Sequence, residues 1–175
     1  MQVAICLAVV DDPVRALGWA TLLILFVVFL PFCYVWMLLK KKVLDDLHVP
    51  RRHQRIKPML VTTASYGVGL LVFILLKAPL FLICMFAISI VSSIVLTSIT
   101  NYWKISLHTS WLSFAFVTFY VLFGAWALVL ASFIPLTGWA RVHLRLHSVM
   151  QVIMGALVSA GITFLGYIVF GFIVV

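Results

Sequence analysis

No glutamate occurs anywhere in this chain, and its only acids are Asp11, Asp12, Asp45 and Asp46. Enzymes that hold magnesium through clustered membrane carboxylates need acids in a pattern that is missing here, so a metal-carboxylate mechanism is not expected. Charge of either sign is scarce, at 9% of residues against 66% hydrophobic. A soluble domain of 175 residues has no use for so much hydrocarbon, and intrinsic disorder is excluded by the same imbalance. Cysteine is sparse and unpatterned: Cys6, Cys33 and Cys84 lie in apolar runs without paired spacing, which reads as buried small hydrophobes. The opening "MQVAICLAVVDDPVRALG" lacks a basic leader, so a removable signal peptide is not expected. No polar linker separates domains, and residues 1–175 read as a single transmembrane helical domain.

What is present is a series of long apolar runs. The first runs from about Leu17 to Leu39, with Pro31 expected to kink it, and stops at Lys40-Lys41-Lys42. The polar segment "KKKVLDDLHVPRRHQRIKP" ends at Pro58, which suits the first turn of a second helix over roughly Met59 to Leu76. Lys77-Ala78-Pro79 makes a tight hairpin into a third span, roughly Leu80 to Thr100, and the polar "NYWKISLHTSW" follows at 101–111. The last span runs from about Ser148 to Val175. Ser110 to Ala140 has two readings. One long tilted helix puts His108 and His147 at opposite membrane surfaces. Two short helices turning near Phe123-Gly124-Ala125 put them on one side.

With two short helices the charges separate. One face carries Lys40, Lys41, Lys42, Arg51, Arg52, Arg55, Lys57, Lys104, Arg141 and Arg145 against Asp45 and Asp46, which accounts for the whole formal charge of +8. Arg15 and Lys77 balance Asp11 and Asp12 on the other. Cytoplasmic loops are basic as a rule, and basic residues beside a bilayer attract anionic headgroups, which covers the lysine triplet. The arginines ask for more, because separate segments bring a cation and a histidine or hydroxyl to the same face.

Arginine presents a planar fork of donors matched to phosphate oxygens. Arg52 and Arg55 in "RRHQRIKP", Lys104 and Ser106 in "WKISLH" and Arg141 in "GWAR" are the candidate phosphate ligands. A neutral imidazole can attack phosphorus, and a protonated one can hand a proton to the leaving alcohol, roles that fall to His147 and His108. Gln151 lies four residues beyond His147, on the same face of a helix. There it can accept a hydrogen bond from the Nδ1–H and leave Nε2 to react.

These residues resemble the type-2 phosphatidic acid phosphatases, membrane lipid phosphatases related to vanadium haloperoxidases. That family carries a lysine, six residues and Arg-Pro; then Pro-Ser-Gly-His; then Ser-Arg, five residues, His, three residues, Asp. The third block here reads Ala140-Arg141, five residues, His147, three residues, Gln151, and the second reads Ile105-Ser106-Leu107-His108. The first is loose, with Arg51, Arg52, Arg55 and Lys57 ahead of Pro58. Gln151 stands where the family has its orienting aspartate, Leu107 where it has glycine, and Pro50 where the first-block lysine would count. The resemblance implies an all-α integral membrane protein, a six-helix transmembrane bundle with two short helices between residues 110 and 140. It also implies a metal-independent lipid phosphate or diphosphate hydrolase acting through phosphohistidine, without a cofactor.

His143 and His147, four apart, also have the spacing of metal ligands, but no carboxylate lies near them. His48 and His53 read as solvated, Arg145 as snorkelling toward headgroups, and Trp19, Trp36, Trp103, Trp111 and Trp139 as interfacial anchors. A small transporter fits poorly, because no ionisable residue lies near the middle of a span. The expected partners are a membrane lipid phosphate and the bilayer rather than nucleic acid, with a homo-oligomer open. The alternative function is non-catalytic binding of anionic headgroups or partner proteins through the basic face. The lysine triplet places that face at the cytoplasm.

Overall fold

A computed structural model describes residues 1–43 and 52–173, with residues 52 and 53 described by their backbone alone. All regular structure among the described residues is helical: α1 (Gln2–Val9), α2 (Pro13–Ile24), α3 (Leu30–Lys40), α4 (Arg52–Leu75), α5 (Leu80–Tyr102), α6 (Leu107–Phe123), α7 (Leu128–Ala131), α8 (Phe133–His143) and α9 (Val149–Val169). Among the described residues, five stretches are long and apolar enough to cross a membrane: Pro13–Lys40, Gln54–Leu75, Leu80–Tyr102, Leu107–Ala131 and Val149–Val169. The chain forms two compact units, Met1–Thr97 and Ser98–Val175.

In the first unit, α2 and α3 are joined by a π-helical turn, Leu25–Phe29, just before Pro31. Leu30 N–H bonds five residues back to the Leu25 carbonyl, which releases the Phe26 carbonyl from the ladder. Ser65 Oγ on α4 donates to that carbonyl at 2.7 Å. Where Pro31 is expected to kink the helix, the hydrogen-bond ladder takes a π turn whose spare acceptor is satisfied by a neighbouring helix. Trp19, Phe73 and Phe86 pack in sequence, tilted and then edge to face, at 5.1 and 4.8 Å between ring centroids in the core of this unit. Asp12 caps α2 through Val14 N–H at 3.0 Å.

Two boundaries differ from the sequence expectation. Pro58 lies inside α4 rather than in its first turn, because the helix is already formed at Arg52. Arg52, Arg55 and Lys57 thus belong to a helix and not to a loop. Asp45, Asp46, His48, Pro50 and Arg51 fall outside the described residues. The polar stretch 101–111 is likewise part helix, since α6 begins at Leu107 and holds His108 in its first turn. Of the cysteines, Cys6 and Cys84 are buried as expected, and burial pushes the Cys6 thiol up to about 11. Cys33 is exposed on α3 instead.

The second unit settles how the chain between 110 and 140 runs. Gly124 takes φ 58, ψ −134, a conformation side-chain-bearing residues avoid, and α6 stops there. A short 3₁₀ turn, Gly124–Ala127, leads into α7, and Ser132 separates α7 from α8. Pro135, which has no N–H for the Ala131 carbonyl, accounts for that second break. The chain then returns along α6: a Cβ added at Gly138 would meet Val152 Cγ1 at 2.6 Å and Thr109 Cγ2 at 3.9 Å. The chain between 110 and 140 therefore reverses after Gly124, through three helical segments, α6, α7 and α8, where two were expected.

α6 and α9 form the main contact of this unit and run parallel. Ser106 N–H donates to the Gln151 carbonyl at 3.2 Å, Thr109 Oγ1 to the Val152 carbonyl at 3.1 Å, and Ser110 Oγ to the Gly155 carbonyl at 2.9 Å. Further along, Tyr167 OH bonds Thr118 Oγ1 at 3.2 Å. Interhelical hydrogen bonds of this kind hold apolar helices together where water cannot compete. Gly155 makes the approach possible, since a Cβ there would lie 2.6 Å from the Ser106 carbonyl oxygen.

Candidate active site

Because α6 and α9 are parallel and α8 returns antiparallel, three helix ends meet at one end of the second unit. His108 sits at the start of α6, Arg141 near the end of α8, and His147 just ahead of α9. One long helix over 110–140 would have separated the two imidazoles by the length of the unit.

The spacing of Arg141 and His147 has a local cause. α8 ends in a Schellman turn: Leu146 N–H bonds the Arg141 carbonyl at 3.0 Å and Arg145 N–H the Val142 carbonyl at 2.9 Å. His147 N–H reaches the same Arg141 carbonyl at 3.3 Å. Five intervening residues are what this turn takes to bring the chain back on itself. It needs a left-handed residue, which is Arg145 at φ 55. Lys104 Nζ then donates to the Leu146 carbonyl at 2.7 Å, so its ammonium is tied beside the residue that precedes His147.

His147 is buried, at 7% exposure. Its Nδ1 lies 3.1 Å from Gln151 Oε1. The same Oε1 accepts the Ser148 N–H at 3.2 Å, and Ser148 Oγ accepts the Gln151 N–H at 3.3 Å, a capping box at the start of α9. The box decides the tautomer. A backbone N–H can only donate, so the atom of Gln151 facing Ser148 is its oxygen, and His147 Nδ1 must then carry the proton. In the neutral imidazole that leaves the lone pair on Nε2.

A cavity of about 500 Å³ opens between α6 and α8, lined by Leu107, His108, Trp111, Leu112, Thr137 and Arg141. It brings the candidate acid and one candidate phosphate ligand to a common wall. His147 is not among its lining residues, and neither are Lys104 and Ser106. Ser106 is wholly buried, its Oγ meets no hydrogen-bond partner, and its backbone holds the α6–α9 contact. Arg52 and Arg55 lie in α4, in the first unit, where Arg55 is buried.

Sequence reasoning paired His147 with Gln151 but passed over Ser148, although Ser148-x-x-Gln151 before an apolar run is a capping-box signature. Thr137 and Leu112 carried no local signal, because the hairpin alone makes them neighbours. Trp111, read as an interfacial anchor, also lines the cavity. His143 stacks on Trp139 at 5.2 Å, and no group of three His, Cys, Asp or Glu side chains occurs among the described residues.

No family model, curated protein or solved structure matches this chain.

Proposed function

We propose that this chain is a multi-pass membrane protein that hydrolyses a lipid phosphate or diphosphate without a metal, through a phosphohistidine at His147. The observation that carries the reading is the pair of contacts at Gln151 Oε1, from the Ser148 N–H at 3.2 Å and with His147 Nδ1 at 3.1 Å, an arrangement that suits a proton on Nδ1 and reaction at Nε2. In this mechanism Nε2 attacks phosphorus and the P–O bond to the lipid alcohol breaks. His108, protonated, gives its proton to the departing oxygen; water then attacks the phosphohistidine, with His108 taking a proton back. Arg141 steadies the phosphoryl oxygens, and Lys104 adds positive charge where negative charge accumulates. The crossing count in this reading is six, with α6 and the α7–α8 segment as two short members, and the lysine triplet puts the reacting end at the cytoplasm.

One feature favours a second reading, non-catalytic binding of anionic headgroups. A neutral amide at Gln151 orients the imidazole but cannot balance the positive charge that histidine acquires in the reaction. One assay separates the two. Purified protein without divalent metal releases inorganic phosphate from a lipid phosphate, and His147→Ala abolishes release. Release that survives this substitution removes His147 from the mechanism. A trapped adduct stable in base and labile in acid identifies phosphohistidine; an acid-stable adduct points elsewhere.

A further inference from the structure

The cavity between α6 and α8 has a direction. His108 and Leu112 are one helical turn apart on α6, and Arg141 and Thr137 one turn apart on the antiparallel α8, about 6 Å in each case. The two helices therefore present two rungs. At the rung nearest the helix ends His108 and Arg141 face the same space; one turn further in, Leu112 and Thr137 do. Leu107 and Trp111, also one turn apart, complete a wall that is mostly hydrocarbon below the imidazole and guanidinium. Trp111 is 46% exposed, so the wall is open at its edge. Among the described residues no carboxylate lines the cavity, and a guanidinium on a wall without acids selects for an anion.

We propose that this cleft binds a single-chain anionic amphiphile, with its headgroup at His108 and Arg141 and its chain running inward along Trp111, Leu112 and Thr137. The volume of about 500 Å³ falls within the range of sites that enclose one small ligand. Thr137 is the residue that leaves room on the α8 side. The inference rests on the lipid-phosphate reading and sharpens it: the cleft is the leaving-group site, and it distinguishes one slim chain from a branched pair.

The test uses the full chain in nanodiscs of neutral lipid, with a dodecylphosphonate bearing a diazirine on its chain. Its carbon–phosphorus bond is not hydrolysed, so binding is read apart from turnover. Photolabel is expected on residues 107–112 and 137–141. Excess unlabelled dodecylphosphonate is expected to suppress it, while inorganic phosphate and dodecyltrimethylammonium leave it in place. Thr137→Trp, which fills the cleft, is expected to cut labelling about tenfold or more, whereas Thr137→Ser preserves it. Leu112→Trp fills the same space from the opposite wall and serves if the first variant does not fold. Equal competition by inorganic phosphate or by the cationic amphiphile overturns the proposal, as does label spread over other lipid-facing helices. The two readings fail separately. Cleft labelling in a protein that releases no phosphate retires the phosphatase. Phosphate release from dodecyl phosphate that neither tryptophan variant alters, with label elsewhere, retires the cleft.

Discussion

His147 Nδ1 and Gln151 Oε1 stand 3.1 Å apart across the first turn of α9, and the oxygen is shared with the Ser148 N–H. One side-chain amide thus caps the helix and sets the proton on the imidazole. Replacing it tests both functions. Gln151→Glu keeps the shape and both hydrogen bonds and adds a charge that stabilises the imidazolium. Turnover is expected to be equal or higher, and the His147 titration, followed by NMR, to move upward. Gln151→Asp is expected to share the equal or higher turnover. Gln151→Leu removes the acceptor, and a loss of at least about ten- to a hundredfold is expected, the range found when a partner that orients a metal-binding histidine is removed. A large loss with either carboxylate would show that Gln151 acts in some other way.

His108→Ala separates proton donation from attack. With an alkyl phosphate the leaving alkoxide needs a proton, and turnover is expected to fall by roughly 10²–10⁴-fold. With an aryl phosphate, whose phenolate leaves readily, most of that loss is expected to vanish. Equal loss on both substrates would show that His108 does not serve as the acid.

Lys104→Met breaks the bond to the Leu146 carbonyl. The bond is charge-assisted but only half-buried, so a destabilisation of about 1 kcal/mol is expected. Hydrogen exchange is expected to rise over residues 144–148 before it rises elsewhere. Uniform exchange would mean that the tether does not hold the loop.

Arg145 occupies a left-handed position that glycine fills at no steric cost. Arg145→Gly is expected to raise the thermal midpoint by relieving up to about 1 kcal/mol, less what the chain gains in unfolded freedom. Arg145→Val is expected to lower it. A midpoint lowered by both substitutions would show that the guanidinium itself holds the turn.

Gly155→Ala places a methyl group against the Ser106 carbonyl, 2.6 Å away, and something must move. A loss of about 1–3 kcal/mol is expected from overpacking. Phosphate release should fall with it, because the same contact sets His108 relative to Gln151. Wild-type stability in this variant would mean that α6 and α9 are held less closely.

Much of the arrangement was legible in residue order. Apolar length marked the spans beginning near Leu17, Met59, Leu80 and Ser148 but left 110–140 open, and the four-residue step from His147 to Gln151 announced their hydrogen bond. Pro58 misled, because proline suits a helix start but is tolerated further in. The polar run 101–111 was legible only as a polar stretch between spans, yet Thr109 and Ser110 lie in α6 and turn their hydroxyls to carbonyls of α9.

Local sequence determined where helices form, because apolar length, proline and capping residues act within a few positions of themselves. It also determined that Gln151 holds His147, since both lie on one turn. Tertiary structure alone decided that α8 folds back along α6. Periodicity is the same whether a helix continues or reverses, and the outcome rests on Gly124 and on contacts between residues far apart in the chain. The cleft that joins His108 to Arg141 exists only because of that reversal.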